Sequence, residues 1–560
     1  MKMKKLAALF MSATFVVSLL SGCGARSTVE LDNSKTMLTI GNFNGGVGTE
    51  WLEKTIDAFE EKYADTSFEE GKKGVQVIIG SSNKTTMEGE TLKDIILGDD
   101  MKDEVFFTEG VFYHWWAKNG KMLDITEYVN EPLTEFGEDE SIADKMDEAH
   151  KKGLTIDDKI YALPFWENSY CMVYNATLFD EESWYIAEDG SFTNASGKLG
   201  AGPDGKSGTY DDGMPATYDE FFALLDEIKK DNCTPFQMPG ASQDYFAWMI
   251  AEMAADNMGY DQFMMNYTFD GTAELVKTDS INWDTMEYKT EKTKITQKNA
   301  YELARQPGLI NALGFAQRLL QNTDYYDVNK SLSGSFKITQ SQVEFVRNPT
   351  VSSQKNVAIM LDGFWWENEA SAAFKETYGT KATKYDADME YKVMPFPKAT
   401  KEDVGSENVI VSALDSYCFI KSNIAPEKID VATKFLQFVH TDAQMAQFTE
   451  VTSLTKPYDY EINAENLTSF AKSMIEMMAA SRVALPMDSN DLYAYSPSDF
   501  RLVKFVHAKY APDKEDTDAI ANVMTSTENG KYLYTAKDYL NGIISYRKDT
   551  QWDEYKKILK

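Results

Sequence analysis

Several short stretches of this sequence set aromatic rings beside groups that exchange hydrogen bonds. Trp365 and Trp366 follow an apolar run and a glycine, in the order Asp362-Gly363-Phe364-Trp365-Trp366-Glu367. Trp166, Glu167 and Asn168 come just after Pro164, with Tyr170 close behind. Glu109 and Tyr113 follow another apolar run, and Asn42 and Asn44 a further one, with glycines at 45, 46 and 48. An indole or phenol face offers apolar burial without charge and suits the C–H face of a pyranose. Carboxylates and amides accept from and donate to paired hydroxyls. Glycines permit close backbone approach. Together these groups are suited to holding a polyhydroxylated molecule. Neighbouring residues on a helix or strand point in different directions, so one indole of the 365–366 pair is expected in the core and the other towards a ligand. Tyr170 fits packing as well as contact.

Other chemistries find less support. His114, His150, His440 and His507 lack the spacing of a zinc protease, and the glycine cluster lacks the Lys-Ser/Thr of a phosphate loop. No nucleophile elbow appears. A glycosidase needs only two suitably spaced carboxylates, which 89 acidic residues could always supply, so that alternative stays open. Cys23, Cys171, Cys233 and Cys418 are too scattered for a disulfide framework or a zinc cluster, and the last three read as buried small hydrophobes. In residues 202–213 (GPDGKSGTYDDG), Asp204, Asp211 and Asp212 offer hard oxygens suited to calcium. A solvated hairpin explains the same residues. Beyond that possible calcium ion, no cofactor is called for.

The chain has 560 residues, more than one core accommodates, so at least two domains are expected. Its formal charge is −33, from 89 acidic and 56 basic residues, which argues against nucleic acid and against anionic membrane surfaces as partners. Residues 1–5 are basic, 6–20 apolar, and Leu20-Ser21-Gly22-Cys23 follows. This resembles the lipobox of bacterial lipoproteins. It implies a signal peptide over 1–22, removed in the mature chain, and a Cys23 that receives acyl chains (palmitate among them) for anchoring. Residues 23–35 then form a tether. No later stretch is long and apolar enough to span a bilayer.

The elements that must position the candidate residues follow from periodicity. Residues 37–43, 75–80 and 104–107 read as strands, separated by a helix over 51–63 and another through 92–97. Trp51, Thr55, Ile56, Phe59 and Tyr63 share one face of the first helix. Strand–helix alternation at this spacing predicts a parallel sheet, with ligands beyond the carboxyl ends of its strands. Asn42, Asn44, Ser81, Ser82, Thr108 and Glu109 then stand at those ends. Residues 159–174 hold two apolar runs broken at Pro164, as in a chain leaving one lobe for another. Polar residues 183–215 and 265–300 read as insertions, the first of them exposed. Strands are expected over 356–361, 391–396 and 416–421, and helices over 218–230, 245–257 and 428–439. No repeat or wall anchor suggests an adhesin.

Taken in order, the lipobox, WLEKTIDAFEEKY, DEVFF with NGKMLDIT, GLTIDDKIYALPF with VYNATLF, VAIMLDGFWWENE and the helix over 431–439 resemble the extracellular solute-binding lipoproteins of sugar-importing ABC transporters, the maltodextrin-binding type of family 1. The resemblance covers most of the mature chain, which is longer than the usual form through its two insertions. It implies an α/β, periplasmic-binding-protein-like fold of two discontinuous lobes, 36–163 plus 405–465 and 164–404 plus 466–560, closing on a hinge. It also implies a sugar-stacking aromatic at Trp365, polar first-lobe contacts at Glu109 and Tyr113, and a further aromatic at Tyr493. Loops like 202–213 recur in similar long lipoproteins, and the resemblance implies a calcium site there. The function implied is that of a lipid-anchored monomer at the outer face of the cell membrane. It would capture a mono- or oligosaccharide, chemically unaltered, for ABC permease subunits. A peptide or polyamine ligand is the other reading.

Overall fold

The computed structural model describes residues 30–82, 89–97, 101–110, 112–347, 355–412, 416–486, 502–511, 514–516 and 520–558. Cys23 and Tyr493 lie outside the described residues. The strands that matter for the site are, in chain order, β1 (Thr36–Asn42), β2 (Val75–Ser82), β3 (Val105–Glu109) and β4 (Leu163–Pro164). Then come β5 (Tyr170–Asn175), β6 (Thr234–Gln237), β7 (Val357–Gly363) and β8 (Tyr391–Met394). Last are β9 (Asn408–Val411), β10 (Ser416–Ile420) and β11 (Ser481–Ala484).

Two sheets define two α/β lobes. The first has the order β2-β1-β3-β10-β4 and the second β6-β7-β5-β8. β1 pairs in parallel with β2 and β3, as the strand–helix alternation predicts, but β10 joins β3 antiparallel. β10 is antiparallel because the chain re-enters the first lobe from the second. The same reversal puts β5 antiparallel to β7 and β8. Helix α1 (Glu50–Lys62) buries Trp51, Leu52, Thr55, Ile56 and Phe59 and turns its acids outward. Trp51 packs edge-on to Phe107 and Phe448 at 5.3 and 5.2 Å and touches Phe165 at 5.3 Å, tying the helix to the sheet and to the entrance of the second lobe.

The chain passes between the sheets three times, and the passages are stitched together. Residues 165–169 join β4 to β5, the segment after β9 leads into β10, and residues 453–468 run on to α3 (Ser469–Ala479), once α2 (Asp244–Met258) has been counted as the long helix behind the second sheet. Phe165 N–H donates to Ser416 O at 3.0 Å, and Ser416 Oγ donates to Trp166 O at 2.9 Å. Glu167 N–H donates to Thr455 O at 2.9 Å, and Lys456 Nζ to Phe165 O at 2.6 Å. β9 stays with the second lobe, because it pairs with β11 and its Val409 and Val411 N–H groups donate to Asp256 and Glu252 of α2. The return passage therefore begins after Val411.

The insertions are partly built into the body. Residues 184–187 are buried, and Gly405 N–H donates to Pro203 O at 3.0 Å, so the 183–215 insertion docks on a neighbouring turn instead of projecting freely. In the 265–300 region, Gly271–Val276 and Thr290–Ile295 form an antiparallel ribbon that buries Ala273, Leu275, Val276 and Ile295. Cys171, Cys233 and Cys418 are buried and unbridged. No helix among the described residues is long and apolar enough to cross a membrane.

Lys456 sits at the hinge with its ammonium 4.4 Å from the Phe448 ring and 5.0 Å from that of Phe165. Burial pushes its pKa down to about 7. In the unfolded chain it returns to the ordinary lysine range, so between those values the unfolded state holds a proton that the folded state lacks. The lysine's contribution to stability is full above the unfolded pKa and is lost as pH falls through about 7. Lys456→Met should remove this dependence, worth on the order of 5 kcal/mol across the window. Chemical denaturation of both proteins from pH 7 to 10.5 reads it. Parallel stability curves for wild type and variant would contradict the assignment.

Candidate functional site

Register brings the site together. β5 and β7 pair with Gly363 opposite Tyr170, so the end of one strand and the start of the other lie side by side. Trp365, two residues past Gly363, lays its ring against that glycine. A Cβ on Gly363 would fall 2.4 Å from the indole. The Trp365 ring meets Tyr170, Trp166 and Tyr245 edge-on at 5.1, 6.1 and 6.2 Å. Tyr170 stacks face to face on Trp248 at 5.1 Å. Tyr245 and Trp248 come from α2 at i,i+3 spacing, which puts both on one helical face. All five rings are buried.

The first lobe reaches this cluster through the loop after β1. Gly46 has φ +70°, and a Cβ there would lie 2.7 Å from Trp365 Cβ. Asn368 Nδ2 donates to Gly46 O at 2.6 Å. Asn42 Nδ2 holds the same loop by donating to Gly48 O at 3.1 Å, and Asn44 Nδ2 donates to Ser82 O at 3.3 Å. Asn42 Oδ1, Trp166 Nε1 and Gln243 Oε1 are buried with no hydrogen-bond partner among the described residues. Such atoms are costly to bury alone, and the hydroxyls of a guest are the kind of group that satisfies them. Glu109 is buried at the end of β3, and Asn168 is buried in the first passage.

The carboxyl groups around the cluster are short of charge. Glu252 accepts from Ser169 Oγ at 2.9 Å and from Val411 N–H at 3.0 Å, and burial pushes its pKa up to about 8. Asp362 accepts from Gly363 N–H at 2.8 Å and from Gln342 Nε2 at 3.2 Å. The same amide donates to Glu369 at 3.0 Å. Burial first, and then the Glu369 charge, raise Asp362 well above the usual carboxylate range. At neutral pH these groups offer hydrogen bonds more than a negative field.

Two candidate ligand contacts, Tyr113 and Glu167, have other roles, and Trp366 is the core member expected of the 365–366 pair. The Tyr113 phenol donates to Leu154 O at 2.5 Å and its ring packs on Tyr417 at 5.5 Å, which fixes it in the first lobe's core. Trp366 is fully buried among Phe345, Tyr391, Phe374 and Phe470, pointing away from Trp365 into the second lobe. Glu167 accepts from Thr455 Oγ1 at 2.8 Å and so fastens one passage to another. The calcium expectation meets a loop closed on itself. Asp211 accepts from Asp204 N–H at 2.8 Å and Thr209 Oγ1 at 2.7 Å, Asp212 from Gly208 N–H at 2.8 Å, and Asp204 from Lys206 N–H at 2.7 Å. Among the described residues no group of three or more His, Cys, Asp or Glu side chains is placed to hold a metal ion.

Tyr245, Trp248 and Asn368 were not singled out from the sequence. The aromatic pair at i,i+3 in an otherwise apolar helix, and an amide three residues past Trp365, are the signals that carried them.

This geometry, two sheets with an aromatic cluster where they meet, is that of a solute trap. The family model of the bacterial extracellular solute-binding protein matches residues 55–467, and the chain belongs to that family. Solved structures agree on the fold. SBP RafE in complex with raffinose is similar with a TM-score of 0.51 at 16% identity, over 84% of this chain and 97% of that one. Maltose-bound T. maritima MalE3 gives 0.53 at 12%, over 92% and 99%. A protein from a study of xylan utilization by the thermophilic bacterium Caldanaerobius polysaccharolyticus gives 0.55 at 13%, over 91% and 99%. A search of curated protein sequences returned no match.

Gly46→Ala tests the contact between the lobes. The added methyl meets Trp365 and an unfavourable φ together, so ligand affinity should fall about tenfold or more. Isothermal titration measures it, and wild-type affinity would show that the two lobes do not close at this point.

Proposed function

We propose that this protein captures a neutral mono- or oligosaccharide between its lobes and hands it unaltered to an ABC importer. The carrying observation is the five-ring cluster at the β5–β7 ends, set among carboxyl groups that burial holds near neutrality. Aromatic faces without fixed negative charge suit the C–H surface of an uncharged sugar and offer little to a polyamine. The raffinose- and maltose-bound structures that share the fold support a saccharide as the ligand class. Family membership supports an extracellular location. Attachment through an acylated Cys23 extends that reading, with intact-mass analysis of membrane-extracted protein as its check: an unmodified Cys23 excludes it.

A thermal-shift screen of the mature chain should find saccharides that raise the melting temperature by mass action, and peptides and polyamines that do not. Trp365→Ala should weaken the best saccharide by about 2 kcal/mol, some thirtyfold, and, because the ring is buried, should also lower the unliganded melting temperature, so affinities are compared at a temperature where both proteins are folded. Chromatography should recover the sugar intact. Shifts by amino acids or peptides alone would overturn the saccharide assignment, and released fragments would overturn capture.

A further inference from the structure

A second recess lies apart from the cleft and shares none of the residues described above. It opens to solvent, has room for about 40 Å3, and is lined by aromatic rings, among them Tyr267, Tyr301 and Trp552, and by Lys504 and Arg547. None of the described lining residues is acidic, in a chain where acids outnumber bases by 89 to 56. Arg547 is only 7% exposed. Its guanidinium donates to Asn266 Oδ1 at 3.1 Å and Phe505 O at 2.9 Å and lies 4.5 Å over the Phe505 ring. No carboxylate among the described residues pairs with it. Lys504 Nζ has His507 Nδ1 at 3.5 Å and no carboxylate partner either. Trp552 Nε1 is buried with no acceptor among the described residues.

A guanidinium taken out of water with neutral partners alone is held at a high energy that an anion would offset. Burial pulls the Arg547 pKa down to about 10, against the pull of the Tyr267, Tyr555 and Tyr546 hydroxyls. The residue also sits in a π-helical turn, Tyr546–Gln551, a wide winding often found at functional sites. The recess thus combines two cations and an indole donor with ring faces and without acids.

We propose that it binds the carboxylate of a small ring compound, the carboxylate entering the recess onto Arg547 and Lys504 and the ring body lying across the open mouth against the aromatic rim. A hexuronate has this chemistry, as does an aromatic acid. Guanidinium–carboxylate pairing is bidentate and directional, which favours a carboxylate over a diffuse anion.

Isothermal titration of the mature protein with glucuronate, benzoate and inorganic phosphate, with glucose as the uncharged control, tests this. At least one carboxylate should bind, more weakly as salt rises, and glucose should not compete. Lys504→Met and Trp552→Phe should each lower that affinity about tenfold, and Arg547→Gln should abolish it. If Arg547→Gln fails to fold, the other two variants still decide. Three results would overturn the proposal: no heat with either carboxylate, phosphate binding alone, or affinity unchanged in both Lys504→Met and Trp552→Phe. Loss of the carboxylate heat in Trp365→Ala would place the anion in the cleft and overturn it equally.

Discussion

The Trp365 ring rests on Gly363 of its own lobe while its Cβ abuts Gly46 of the other, and most of the architecture serves to keep that arrangement available. Neither glycine tolerates a side chain, because each approaches the indole closely. The β5–β7 register fixes where the ring stands, α2 supplies the rings around it, and the loop after β1 brings the first lobe down upon it. Asn368 seals the contact with a hydrogen bond to Gly46 O. A ring so placed is part of the second lobe's structure and of the joint between lobes at once, so a guest that favours the closed joint necessarily reports to both halves.

Electrostatics sharpen the picture. A chain with a formal charge of −33 might be expected to present a strongly negative cleft. Instead, Glu252 and Asp362 are desolvated until their protonated forms are favoured, and their oxygens are already taken by Ser169, Val411, Gly363 and Gln342. The acidity is left to the surface, where it favours solubility. In the far recess the imbalance is reversed, with Arg547 and Lys504 unaccompanied by acid among the described lining residues. Charge is thus sorted by place.

Much of the fold was legible because it rests on periodicity. The α1 face from Trp51 to Phe59, the parallel start of the first sheet, and the break at Pro164 are all local patterns that tertiary structure kept. The antiparallel strands were not legible, since direction depends on which lobe the chain returns from. The site was half visible. Trp365 and Trp166 stand out by type and by position after a strand or a proline. Tyr113, Trp366 and Glu167 have the same types at similar positions, and only the direction of each side chain separates core, hinge and cleft. Tyr245 and Trp248 lie far away in sequence and come to the cluster through helix packing alone.

The central claim is that two lobes close over a guest by bringing the loop at Gly46 onto Trp365. The most direct measurement is the distance between spin labels, one on the exposed face of α1 at Glu61 and one on the second lobe at Glu376, with and without a saccharide that stabilises the fold. The account predicts a broad distribution that narrows and shifts to a single short distance on binding, and that stays broad in Gly46→Ala. One unchanging distance in all three samples would contradict it.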